Sequence, residues 1–172
     1  AGDEVNVKAY GYYESTDSTA MNTYATGETM LASLADALAG GSMYVGEGGQ
    51  AITSQTIENM LSLGNNTTYE SLKSTATDPA YPRTYLNYLV FDENMNILSD
   101  ECQVVQLKGA ATTWNTLELD GDVIVGNNGY VLIYFSGESD MDTWIDNIHF
   151  VTVKGRLLQT QQYYPHGLIV ES

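Results

Sequence analysis

Over its first dozen residues the chain alternates Val5, Val7 and Ala9 against Asn6, Lys8 and Tyr10. A period of two predicts a half-buried β-strand. After a small, polar stretch from Ser15 to Thr26 the period changes. The run GETMLASLADALAGG puts Met30, Leu31, Leu34, Ala35 and Leu38 on one helical face and stops at Gly40 and Gly41. A weaker helical pattern, SQTIENMLSLG, offers Ile57, Met60 and Leu61 with a stop at Gly64, and residues 64–80 read as loop.

Beyond Pro82 the pattern returns to β. TYLNYLVFDENMNIL predicts two strands around a polar tip at Asp92–Asn96. QVVQL, TWNTLEL, DVIV, GYVLIYFSGE and TWIDNIHFVTV follow, parted by the turn signals KGAAT, DGD, GNNG and GESDMD. Short strands at such spacing indicate an antiparallel sandwich or barrel rather than βαβ units. The expectation is therefore mainly β: a jelly-roll-like β-sandwich in one domain, residues 1–158, with a small helical insert at about 27–63. Residues 159–172 read as a C-terminal strand or linker.

Composition narrows the partners. Six lysines and arginines stand against 22 acids, a net charge of −16. Phosphate recognition needs clustered cations, so nucleic acid is not an expected partner. No apolar run approaches the roughly 18 residues of a membrane span, so no membrane insertion is expected. Acidity with few lysines and many Thr, Ser, Asn and Tyr suits a secreted or cell-surface protein. The single cysteine, Cys102, excludes an internal disulfide, and its place beside QVVQL predicts a buried, inert thiol.

Candidate chemistry is sparse. VGEGGQA (45–51) lacks the third glycine and the βαβ setting of a dinucleotide loop. DENMN (92–96) has alternating oxygens, but Ile97 stands where a calcium loop of the EF-hand type needs glycine, and a hairpin tip explains it better. His149 alternates with Ile148 and Phe150 in a predicted strand, and no G-x-S-x-G elbow is present, so no catalytic residue and no enzyme is expected. In TWIDNIHF, Asp146 and Asn147 interrupt the apolar alternation. A structural calcium would give Asp146 a partner; an exposed Asp at a strand bend explains it equally. Tyr10, Tyr12, Tyr13 and Tyr44 are candidate sugar-stacking side chains, with sheet packing as the plainer reading. The overlapping sequons at Asn65 and Asn66 mark an exposed loop.

In combination, AGDEVNVKAYGYY, YPRTYLNYLVFDENMNIL, NNGYVLIYFSGES and WIDNIHFVTVKGRLLQTQQYYPHGL resemble a module of RHS-repeat (YD-repeat) proteins of Gram-negative bacteria, the segment before the RHS-associated core. His166 stands where that family has Phe. The resemblance implies a galactose-binding-like jelly roll, common among carbohydrate-binding domains, with a structural calcium held by Asp3 or Glu4 together with Asp146. It also implies that QQYYPHGL leads into a neighbouring domain of a larger surface protein. A free apolar ribbon of this kind can add to the sheet edge of another copy. Tyr163, Tyr164, Leu168, Ile169 and Val170 are then the assembly residues. A self-associating, non-catalytic structural module is the leading expectation. A calcium-stabilised carbohydrate-binding module, with glycan as partner, is the alternative.

Overall fold

The computed structural model describes residues 2–14, 16–17, 59, 62–121, 123–124, 126 and 129–154, with the backbone course of 162–163 and 169–171. The predicted helical run at 27–41, the glycine-rich run 45–51, most of the 54–64 pattern, Tyr44, Tyr164, His166 and Leu168 lie outside them.

Alternation along β1 (Glu4–Tyr13) has the expected result: Val5, Val7, Ala9, Gly11 and Tyr13 are buried, and the residues between them are more open. β2 (Thr84–Phe91) behaves differently, since all eight of its residues are buried. Both of its faces are covered. Leu86, Tyr88 and Val90 face β1 with Val5, Val7, Leu107, Leu117 and Leu119; Leu89 and Phe91 pack on the other side with Tyr69 and Met95.

Two antiparallel sheets result. In one, β2 lies between β3 (Gln103–Gln106) and β6 (Tyr130–Gly137). In the other, β7 (Thr143–Val153) pairs with β1 from Glu4 to Tyr13. β4 (Asn115–Glu118) and β5 (Val123–Ile124) follow one another along the opposite edge of β1. The chain crosses between sheets after β1, β3, β5 and β6, so the fold is a jelly-roll-like β-sandwich, as the strand spacing predicts. Beyond it, β8 (Gln162–Tyr163) and β9 (Ile169–Glu171) pair with each other.

A helix, α1 (Leu63–Ala76), replaces the loop expected at 64–80 and covers the far face of β2. Gly64 falls in its first turn instead of ending an earlier helix. Ser62 caps it, its Oγ accepting the Asn65 N–H at 3.3 Å. Hydrophobic periodicity misses this helix because its buried residues are Asn65, Tyr69 and Lys73. Asn65 is no exposed glycan acceptor. Its Nδ2 donates to the Met95 carbonyl at 2.6 Å and its Oδ1 accepts the Ile97 N–H at 2.9 Å, which ties α1 to the turn after β2.

That turn also departs from the two-strand expectation. Only Ile97 pairs back, with Phe91, before a short 3-10 turn at Ser99–Glu101. The Asp92 carboxylate accepts the N–H groups of Asn94 and Asn96, each at 2.8 Å, and the Asn96 amide at 2.9 Å. DENMN is thus a self-capped tip. Cys102 follows the 3-10 turn and is only partly buried. Its Sγ donates to the Leu98 carbonyl at 3.2 Å, and burial raises the thiol's pKa.

Candidate ligand-binding face

With β4 and β7 on its two edges, β1 carries the middle of an outward sheet face. Its even-numbered residues point there, each flanked by a partner from the neighbouring strands. Tyr12 lies opposite Trp144 of β7. On its other side the indole of Trp114, just before β4, has its centroid 5.4 Å from the Tyr12 ring; Trp144 is at 5.6 Å. The planes are inclined at 44° and 61°, so the three rings form a shallow cradle and not one flat platform. The indoles remain 52% and 44% exposed.

Polar tiers follow along β1. Tyr10 sits between Thr116 and Asp146, and Lys8 between Glu118 and His149. Lys8 Nζ is 3.0 Å from Glu118 Oε2 and 5.9 Å from the Tyr10 ring centre. The hydrogen bond that the ammonium donates to Glu118, then the carboxylate's charge, raises the ammonium pKa. The sheet places an exposed aromatic tier beside hydroxyl, carboxylate and imidazole groups.

Asp146 and Asn147 mark a β-bulge. Register slips between Lys8 and Tyr10, Asn147 adopts φ 51°, and its N–H donates to Asp146 Oδ1 at 2.7 Å. Asn tolerates this left-handed backbone better than most residues. The bend accounts for the polar pair in mid-strand and re-aims the side chains on either side of it.

A second constellation is buried between α1 and the β2 sheet. Lys73 Nζ is 2.9 Å from Glu138 Oε2 and 3.4 Å from Glu70 Oε1, and it stands 5.0 Å from the Tyr69 ring centre. Tyr69 OH donates to Asn87 Oδ1 at 3.1 Å, and Asn87 Nδ2 donates to Ser136 Oγ at 3.0 Å. Ser136 Oγ donates on to Glu138 Oε1 at 3.5 Å. Desolvation raises the Glu138 pKa although Lys73 opposes it. Perturbed ionisable groups are a common mark of active sites. Here the Glu138 side chain is wholly out of solvent, and the chain of bonds clamps a polar helix to the sheet.

The sequence-derived candidates divide. Tyr10 and Tyr12 lie on the outward face. Tyr13 does not: it is buried, its OH donating to the Gly109 carbonyl at 2.7 Å, so it is a core residue. Asp3, Glu4 and Asp146 are not brought together. Glu4 lies opposite Val153 and Asp146 opposite Tyr10, which at a strand's rise per residue separates them by on the order of 20 Å. No group of three metal-ligating side chains occurs among the described residues. Of the assembly residues, the backbones of Tyr163, Ile169 and Val170 lie in the β8–β9 pair, Tyr163 opposite Ile169.

Trp114 and Trp144 are the residues that sequence reading missed. A signal existed. With Leu117 of β4 and Leu119 just beyond it inward, and Ile145 on the core side of β7, strand parity sends both indoles outward. Compared with protein-family models, curated proteins and solved structures, the chain matches none of them. The RHS-module resemblance therefore rests on its sequence motifs alone.

Proposed function

We propose that this protein is a non-catalytic carbohydrate-binding module of a secreted or cell-surface protein, using the outer face of the β4–β1–β7 sheet. The observation that carries this is the Trp114–Tyr12–Trp144 tier. Large aromatic rings normally bury most of their area, and two exposed indoles flanking a partly buried tyrosine favour a ligand that covers them. The C–H face of a sugar ring suits such a cradle, and the hydroxyl, carboxylate and imidazole groups beside it suit sugar hydroxyls. A binding role is also favoured because Lys73 and Glu138, the pair with proton-transfer chemistry, are closed off beneath α1.

Both tryptophans of the chain belong to this tier, so intrinsic tryptophan fluorescence reports on it directly. Titration with soluble glycans is expected to shift and strengthen the emission. Trp114→Ala and Trp144→Ala are each expected to weaken binding at least tenfold with the fold intact by circular dichroism. Unchanged emission across neutral and acidic glycans would refute this function.

Self-association is a second reading, and β7 favours it over the C-terminal ribbon. Among the described residues the outer edge of β7 has no strand partner. Ile148, Phe150, Val151 and Val153 are 53–57% exposed along it, and open apolar edges recruit further strands. Light scattering across a concentration series tests this: association abolished by Val151→Lys but not by deleting residues 159–172 supports it, and a monomer at every concentration refutes it.

A further inference from the structure

The face also restricts what kind of glycan it can hold, and this inference rests on the glycan-binding reading above. Its polar tiers carry the acids Glu118 and Asp146, with Glu4 further along β1. Their neighbour Lys8 is engaged by Glu118 at 3.0 Å. An anionic sugar would meet carboxylates on a chain of net charge −16, with no uncompensated lysine or arginine on these tiers. Like charge at close range excludes a ligand more effectively than a missing contact does.

The face is open as well. Trp114, Thr116 and Glu118 are exposed along one side of β1, and Trp144, Asp146 and His149 along the other. An open row of this kind does not select a chain end. It binds by length. From Tyr12 to Lys8 the strand rises about 13 Å, more than one sugar ring covers, so the aromatic tier and the Lys8–Glu118–His149 tier must be met by different sugars of one chain.

We infer that the ligand is an uncharged linear glycan lying along β1, with sugar faces on Trp114, Tyr12 and Trp144. Its hydroxyls reach Thr116, Asp146 and His149, and acidic glycans are rejected by charge.

The test follows tryptophan emission of the full chain against neutral oligosaccharides from two to six sugars, and against uronate-rich and sulfated polymers. Affinity is expected to rise at least tenfold between two and four sugars, with no response to the acidic polymers. His149→Ala and Asp146→Asn are expected to weaken binding of the longer oligosaccharides at least fivefold. Asparagine retains the Oδ1 that accepts the Asn147 N–H, so the bulge should persist. Affinity independent of length would overturn the placement along β1, and binding of the acidic polymers would overturn the charge exclusion. Either result leaves glycan binding standing. A silent emission with every neutral and acidic ligand would overturn the inference together with the reading beneath it.

Discussion

The ammonium of Lys73 and the carboxylate of Glu138 meet at 2.9 Å with both side chains out of solvent, one from α1 and the other from just past β6. A buried ion pair is costly to assemble and more costly to halve. Glu138→Gln leaves Lys73 with the half-exposed Glu70, and Lys73→Met leaves a buried carboxylate alone. Lys73→Met is expected to destabilise the fold by roughly 3 kcal/mol; Glu138→Gln, which removes a carboxylate whose charge desolvation already disfavours, should cost less. The double variant should regain most of that loss, because no uncompensated charge remains. Urea unfolding of the four proteins measures the coupling directly.

The same carboxylate sets a pH dependence with a definite sign. Desolvation holds the Glu138 pKa above its ordinary carboxylate value despite Lys73. The folded chain therefore takes up this proton at higher pH than the unfolded chain, and the group costs stability while ionised. That cost is relieved as pH falls through the raised pKa towards the ordinary carboxylate range. The stability of the wild type relative to Glu138→Gln should rise as pH is lowered from neutral. Melting temperatures of both proteins across that range check it, and a falling difference would contradict the assignment.

Gly11 supports the aromatic tier from beneath. It lies between Tyr10 and Tyr12 and faces the core, where an added Cβ would come within 2.6 Å of Leu107 Cδ1 and 2.9 Å of Leu117 Cδ1. Both leucines are fully buried and have little room to move. Gly11→Ala is expected to cost about 1–3 kcal/mol through overpacking, measured by thermal unfolding.

At the β7 bulge, the left-handed backbone of Asn147 predicts unequal responses. Asn147→Gly should be nearly neutral. Asn147→Val should cost about 1–3 kcal/mol, because a β-branched residue is strained there. Equal melting temperatures for the two variants would argue against the bulge.

Much of the sandwich was legible in sequence. Strands β1, β2, β6 and β7 carry their patterns openly, and the turn signals divide them correctly. Helix α1 was not legible, because Asn65 and Lys73 are buried by satisfying partners in loops far along the chain and not by being apolar. The candidate face was half legible. Tyr10 and Tyr12 follow from the alternation of β1, but their flanking tryptophans depend on pairings across more than a hundred residues, which no local pattern specifies. The same dependence on register explains why Glu4 and Asp146, compatible as ligands by residue type, end up far apart.

Neutral-oligosaccharide titration followed by tryptophan emission tests the central claim most directly. The account predicts a saturable shift in the wild type, weakened at least tenfold in Tyr12→Ala, whose ring lies between the two indoles. Saturable binding that Tyr12→Ala leaves unchanged would place the ligand elsewhere and contradict it.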